Sequence, residues 1–378
     1  MKQVFFVIDS LCCGGAEKSL VSLLSMLDYS RIQVDLMLVK RDGCFERFLP
    51  KEVQIVPFLQ PPSLLFRIAQ LYFSILLRLL RKRHGAEVRW IAMKGVYEYM
   101  SKRYDVAVAY QQGFPTYFIA EKVKANRKIA WINTDLEKAG YRSGFNRPFY
   151  DKMDFVCCVS DVLYALTSDS GYVDRDKLII IKDILDPGLI RTAANEPIPI
   201  EISQRKIQLL TVGRLAAPKN YLLAVNAAKV LYDHGLDFVW VFVGEGSERK
   251  KVEALVETYG LQERIILAGL QDNPYPFYKQ CDIYVQTSSF EGFGLTLSEA
   301  KILHKSIVTT NFPSAYDQII DGENGLIAEM TPESVADKIL RIVENPTLKN
   351  RLIENTRKEE NRTAETESER VNRLLLED

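Results

Sequence analysis

The chain is short of the residues from which most metal and nucleophilic sites are built. In 378 residues it has three histidines and six cysteines, and 49 Lys and Arg are balanced by 49 Asp and Glu. Zero net charge argues against a polyanion binder, and no nucleic-acid partner is expected. Cys12, Cys13, Cys44, Cys157, Cys158 and Cys281 form no C-x-x-C pair, and two sets are adjacent. That spacing suits neither a disulfide framework nor a zinc site, so reduced thiols in a cytoplasmic chain are expected. The N-terminal MKQVFFVIDS has one lysine and a short apolar run, which reads as a buried strand and not as a secretory signal.

What is present is a soluble, core-forming composition with 47% hydrophobic and 26% charged residues. The charge balance hides an asymmetry. Residues 1–185 carry 27 Lys and Arg against 20 Asp and Glu, and the remainder carries 22 against 29. A basic front half and an acidic back half suggest different partners. Apolar runs at 4–8, 34–39, 105–110, 128–132, 154–160 and 178–181 alternate with helical stretches. The pattern restarts at 207–213, 237–244, 264–269, 282–288 and 306–310. Continuous apolar strands separated by helices predict parallel sheets covered on both faces, and two such series predict an α/β chain of two Rossmann-like, doubly wound domains. The expected boundaries are a first domain over 1–185, a proline-bearing linker over 186–204 and a second domain over 205–359. A charged helix over about 360–378, with an apolar face resumed in RVNRLLLED, is expected to pack back on the first domain.

Several motifs come close to known signatures and miss. GGAEKS at 14–19 lacks the glycine that precedes the lysine of a phosphate-binding loop. GEGSER at 244–249 has Arg249 where a dinucleotide fingerprint needs its third glycine. Asp174 and Asp176 fall in a polar turn, and His84, His234 and His304 sit where caps or surface residues are expected.

The second half holds a coherent set. Gly213-Arg214 ends a strand and Pro218-Lys219-Asn220 precedes a helix, so Arg214 and Lys219 belong at the carboxyl edge of a parallel sheet, where open α/β folds bind ligands. Two fixed cations suit a diphosphate. SSFEGFGLTLSEA at 288–300 follows a strand and opens a helix near Leu295. Gly292 and Gly294 permit close backbone approach, and the helix start offers N–H groups to an anion. Glu291 and Glu299 suit sugar hydroxyls on either side of a diphosphate. A hydrolase acid–base pair is the competing reading, but it leaves the cations and glycines unexplained.

These residues, in this order, resemble a retaining glycosyltransferase of family 4, a group with the GT-B fold of two Rossmann-like domains facing across a cleft. The resemblance is carried by Gly14-Gly15-Ala16-Glu17, Val159-Ser160-Asp161, Gly213-Arg214…Lys219-Asn220, Gly244-Glu245-Gly246, Glu291-Gly-Phe-Gly…Glu299-Ala300 and Asp321-Gly322…Asn324-Gly325-Leu326. It implies that Arg214 and Lys219 neutralise the leaving diphosphate without a metal or other cofactor, that Glu291 contacts the donor sugar, and that Glu299 holds the ribose. It further implies donor contacts from Gly213, Gly292, Phe293, Gly294 and Leu295, and closure of the first domain through Gly14 and Gly15. One position departs from the pattern: Asn133 stands where the family often has histidine. The expected reaction moves a hexose or N-acetylhexosamine from a nucleotide sugar, UDP-linked by family frequency, to a glycan or lipid-linked acceptor in surface-polysaccharide assembly. A non-catalytic binding subunit and a nucleotide-sugar epimerase are the alternatives.

The stretch SLLFRIAQLYFSILLRLLRKRHG at 63–85 stands apart. Interrupted by arginines, it is a poor transmembrane span. It reads either as a core helix with one wet edge or as a helix lying on an anionic membrane, with Arg78, Arg81, Lys82 and Arg83 near the headgroups. The second reading places the protein peripherally on the inner face of the cell membrane.

Overall fold

A computed structural model describes residues 1–12, 14–41, 43–58, 64–80, 83–202, 207–358 and 362–377. The chain divides into two compact units, Met1–Ile184 with Ala364–Asp378, and Leu185–Thr363.

The first unit is built on a seven-stranded sheet of β1 (Lys2–Ile8), β2 (Ile32–Leu38), β3 (Val53–Val56), β4 (Arg103–Ala109), β5 (Lys124–Ile132), β6 (Phe155–Cys158) and β7 (Leu178–Ile180). Its order is β3-β2-β1-β4-β5-β6-β7, and every pairing is parallel. The strand order reverses between β1 and β4. The second unit has β8 (Ile207–Val212), β9 (Phe238–Val243), β10 (Ile265–Gly269), β11 (Ile283–Gln286), β12 (Ser306–Thr310) and β13 (Leu326–Ala328). These are ordered β10-β9-β8-β11-β12-β13, again all parallel, with the reversal between β8 and β11. Strand β9 shows why the pattern was readable: all six residues of FVWVFV are buried, as a central strand with helices on both faces requires. The edge strands β3 and β13 went unread. Gln54 interrupts the apolar run of β3, and β13 is only Leu326, Ile327 and Ala328.

In the first unit α1 (Gly15–Ser25) follows β1; α2 (Leu64–Leu79) and α3 (Gly85–Met93) precede β4; α4 (Phe114–Lys122) follows it; α5 (Ser143–Tyr150) and α6 (Asp161–Asp169) flank β6. The segment expected to be a linker over 186–204 instead contains α7 (Pro187–Ala193), which belongs to the second unit. Its proline is not a breaker but the first helical residue, where a missing N–H costs nothing. The Asp186 carboxylate caps the helix by accepting from Gly188 N (2.8 Å) and Leu189 N (3.1 Å). The Asn273 side chain then ties it down at the Ala193 carbonyl, at 2.8 Å. The second unit continues with α8 (Tyr221–Asp233), α9 (Arg249–Thr258), α10 (Tyr275–Gln280), α11 (Leu295–Ile302), α12 (Pro332–Glu344) and α13 (Pro346–Lys358).

The structure overturns the core reading of the 63–85 stretch. Helix α2 packs on α3 through a narrow face that includes Phe66, Ala69, Phe73 and Leu76. Leu64, Leu65, Ile68, Leu71, Tyr72, Ile75, Leu77 and Leu79 are exposed, Leu64 by 74% and Leu79 by 73%. Arg81 and Lys82 lie outside the described residues, as does the side chain of Arg78; Arg83 is half-buried. No helix among the described residues is long and apolar enough to cross a membrane.

The last helix, α14 (Arg362–Leu376), belongs to the first unit. Val371 and Leu375 are fully buried, Asn372 Oδ1 accepts from Asp28 N at 3.2 Å, and Arg127 donates to the Leu374 carbonyl at 2.9 Å. Leu375→Ala should therefore destabilise the first unit by about 2–4 kcal/mol. Urea denaturation followed through its tryptophans, Trp90 and Trp131, measures this; an unchanged midpoint would mean that the helix is not part of the unit's core.

Candidate active site at the switch point of the second sheet

Open parallel sheets leave a crevice at the carboxyl ends of the strands where their order reverses. In the second unit the chain leaving β8 supplies Gly213 to Asn220 at that point, and the chain leaving β11 supplies Thr287 to Gly294. Backbone contacts fix the two loops together. Ser289 N donates to the Pro218 carbonyl at 2.7 Å, and the Thr287 hydroxyl donates to the carbonyls of Lys219 (3.2 Å) and Asn220 (3.1 Å). Asn220 adopts the left-handed conformation (φ 50°, ψ 48°) that lets the chain turn from the loop into α8.

Gly244-Glu245-Gly246 serves this arrangement from behind. A Cβ on Gly244 would fall 1.9 Å from the Gly213 carbonyl oxygen, and one on Gly246 would fall 2.3 Å from that of Leu215. The Glu245 carbonyl accepts from Leu215 N at 2.9 Å. The glycines that fail as a dinucleotide fingerprint are thus what allow the loop after β9 to buttress the loop after β8.

The structure brings Lys219 and Glu291 together. Lys219 Nζ lies 2.6 Å from Glu291 Oε1, with both side chains largely shielded from water. The same oxygen accepts from Gln286 Nε2 at 3.0 Å and Ser288 Oγ at 2.5 Å. Arg214 is exposed, with no ion pair or side-chain hydrogen bond among the described residues. The two cations therefore differ. Arg214 is open to an incoming anion, and Lys219 is held by a carboxylate. A Cβ on Gly213 would approach Lys219 Cε to 3.2 Å, so glycine there leaves room for the lysine stem.

Gly294 is left-handed (φ 89°, ψ 50°) and stands at the N-cap of α11 with no side-chain cap, which leaves the first amides of the helix available. Leu295 and Phe293 are buried and Gly292 is half-buried. Gln318 fixes the loop by donating to the carbonyls of Phe293 (2.5 Å) and Gly294 (3.2 Å), and Ser314 Oγ donates to the Glu291 carbonyl at 3.0 Å.

Glu299 does not lie open beside Glu291. It is fully buried, and Tyr278 donates to its Oε2 at 2.8 Å. Burial first, and then the Glu299 carboxylate, hold the Tyr275 and Tyr278 phenols well above their usual range, so both remain donors. Gln286 holds Glu291 in place: its amide nitrogen serves Glu291, and its oxygen accepts from Thr296 Oγ1 (2.9 Å) and Tyr284 (3.2 Å). Gln286, Tyr278 and Gln318 escaped sequence reading because they lie in a strand, a short helix and a 3-10 turn without a motif of their own.

In the first unit, Gly14 is the N-cap of α1 and Gly15 its first residue. A Cβ on Gly14 would meet the Glu17 carboxylate at 2.0 Å. Asn133 lies past the end of β5. Its Nδ2 donates to the Tyr110 carbonyl at 3.1 Å, and its backbone N–H donates to Gln112 Oε1 at 3.1 Å. Its Oδ1 is buried and unpartnered. The three histidines are structural or peripheral: His84 caps α3 through Nδ1, His234 is the C-cap of α8, and His304 follows the C-cap of α11.

Residues 194–359, nearly the whole second unit, match the family model for glycosyl transferases group 1. Along 349 residues, 88% of each chain, the sequence is 24% identical to the N-acetylgalactosamine-N,N'-diacetylbacillosaminyl-diphospho-undecaprenol 4-alpha-N-acetylgalactosaminyltransferase of Campylobacter jejuni. It is 25% identical over 149 residues, 39% of each chain, to the capsular polysaccharide biosynthesis glycosyltransferase CapM of Staphylococcus aureus. Among solved structures, Anabaena HepE in complex with UDP and glucose superposes with a TM-score of 0.74 at 16% identity over the whole of both chains. Staphylococcus aureus TarM gives 0.70 at 14% identity, over 100% of this chain and 99% of that one. The chain thus has the GT-B fold, and its second unit matches the glycosyl transferases group 1 model.

Proposed function

We propose that the protein transfers a hexose or N-acetylhexosamine, with retention, from a UDP-sugar to a lipid-linked glycan acceptor in surface-polysaccharide assembly. The observation that carries this reading is the pairing at one switch point of an open arginine, Arg214, with a lysine held on a carboxylate, Lys219 on Glu291. As the bond from the anomeric carbon to the leaving oxygen breaks, negative charge builds on the diphosphate. Arg214 offers a planar fork to it and Lys219 a point charge, in place of a metal ion. The uncapped start of α11 adds fixed N–H dipoles. When the diphosphate draws Lys219 away, Glu291 keeps Gln286 and Ser288 as donors and gains a free lone pair for a sugar hydroxyl. Glu299 would meet the ribose only if its tyrosine contacts open, and otherwise it supports the loop from beneath. The UDP preference is favoured by the UDP and glucose bound to HepE, and the acceptor class by the undecaprenyl-diphosphate chemistry in the name of the Campylobacter relative.

The same reading places α2 on the inner face of the cell membrane. A helix that exposes leucines and isoleucines on most of its surface, and is followed in sequence by Arg81, Lys82 and Arg83, is suited to the headgroup boundary of an anionic bilayer.

Release of UDP from a panel of UDP-sugars, with and without a lipid-extract acceptor, tests the reaction. Arg214→Ala should lower acceptor-stimulated release by about 10²-fold, the loss typical of removing one preorganised charge-stabilising donor. Glu299→Gln, which still accepts from Tyr278, should retain the fold and raise the donor KM more than it lowers kcat. UDP binding with no release from any donor would instead favour a non-catalytic subunit. Flotation with phosphatidylglycerol vesicles tests the membrane reading: Leu65→Asp/Leu71→Asp should abolish retention, and salt should weaken it in the wild type. Equal retention on phosphatidylcholine would sink the anionic part of the proposal.

A further inference from the structure

The first unit has a groove of about 570 Å³ that no donor-side role accounts for. Its lining includes Arg83, Arg142, Tyr141, Tyr172 and Phe145, with Glu137 as its acid. Arg83 lies in the turn between α2 and α3, and its N–H donates to the Leu80 carbonyl at 2.8 Å. The groove therefore opens beside the end of the exposed apolar helix.

Two features show that the arginines are set up for a ligand. Arg142 is rigid at its backbone and free at its head. Its N–H donates to the fully buried Glu87 at 2.7 Å, and its carbonyl accepts from Asn146 Nδ2 at 2.9 Å. Its guanidinium is exposed, with no ion pair or side-chain hydrogen bond among the described residues. Arg83 is only half engaged. Its guanidinium lies 3.7 Å from Glu87 Oε2, too far for a hydrogen bond, and that oxygen has no other partner. It also sits over the Phe145 ring at 5.7 Å. Ser143, Gly144 and Ser170 complete the lining beside the aromatic side, where Tyr141 and Tyr172 are buried and Tyr172 donates to the Tyr141 carbonyl at 2.7 Å.

We propose that this groove is the subsite for the phosphate groups of the lipid-linked acceptor, with Arg142 and Arg83 as the anion clamp and the aromatic wall against the first apolar carbons of the lipid. The inference rests on the lipid-linked acceptor of the preceding section and adds the residues that hold it. A guanidinium pair recognises a phosphate dianion by forked hydrogen bonds. Aromatic walls and continuity with α2 select a phosphate on an apolar chain over a free one. Glu137 opposes a second anion and limits the clamp to a single phosphate or diphosphate group.

Titration of the full-length protein with geranyl diphosphate, inorganic pyrophosphate and geraniol, followed by Trp90 and Trp131 fluorescence, separates these chemistries. Geranyl diphosphate should bind saturably, and pyrophosphate at least about tenfold more weakly. Arg142→Gln should cost on the order of tenfold and Arg142→Lys less, because lysine keeps the charge but loses the fork. Arg142 has no native side-chain partner to lose, so this variant should fold normally by circular dichroism. UDP titrated into the same preparations reports the donor site and should be unchanged. Geranyl diphosphate binding equally well to Arg142→Gln overturns the subsite, as does saturable pyrophosphate binding of equal strength. A wild type that binds no UDP would instead overturn the UDP-sugar donor of the preceding section.

Discussion

The architecture of the candidate site depends on one ion pair, Lys219 with Glu291, at the reversal point of the second sheet. It joins the loop after β8 to the loop after β11, and each loop is shaped to make it. The left-handed Asn220 turns the first into α8, the left-handed Gly294 turns the second into α11, and backbone bonds through Ser289 and Thr287 set their spacing. A pair so largely removed from water would lose much of its strength if either partner were truncated, because the other charge would stay behind poorly solvated. A diphosphate does something different. In the proposed reaction it would replace the carboxylate as the partner of Lys219, and Glu291 would keep Gln286 and Ser288 as donors.

The proposed exchange would give the two unequal cations different tasks. Arg214, exposed and unpaired among the described residues, would meet the donor first in that reading. Lys219 is committed until a stronger anion arrives. Below them, the Gln286–Thr296 and Tyr278–Glu299 contacts form a buried polar layer whose hydrogen-bonding groups are largely satisfied. Such layers are costly when partly satisfied and rigid when complete, which suits a loop that must hold its donors in place during bond breaking. The buried Glu299 is thus a foundation of the unliganded site, whatever it contacts once a nucleotide is bound.

Much of this was legible in the sequence because the central strands are apolar throughout. VFFVI in β1 and FVWVFV in β9 allow no other reading once helices alternate with them. Arg214, Lys219 and Glu291 were legible because they follow such strands directly. Three things were not. The linker reading failed because a proline at the first position of α7 looks the same in sequence as a breaker. The core reading of α2 failed because an apolar helix gives no sign of how narrow its packed face is, and only a face such as Phe66, Ala69, Phe73 and Leu76 meets protein. The burial of Glu299 was hidden because its tyrosine partners lie on α10, about twenty residues away in the chain and outside any spacing rule.

The central claim is that a diphosphate displaces Glu291 from Lys219, and a structure of the full-length protein with bound UDP tests it most directly. The account predicts phosphate oxygens within hydrogen-bond reach of both Arg214 and Lys219 Nζ, with the contact of Lys219 to Glu291 Oε1 lengthened beyond ion-pair distance. A bound nucleotide whose diphosphate lies away from Arg214, with the Lys219–Glu291 pair intact at its 2.6 Å separation, would contradict it.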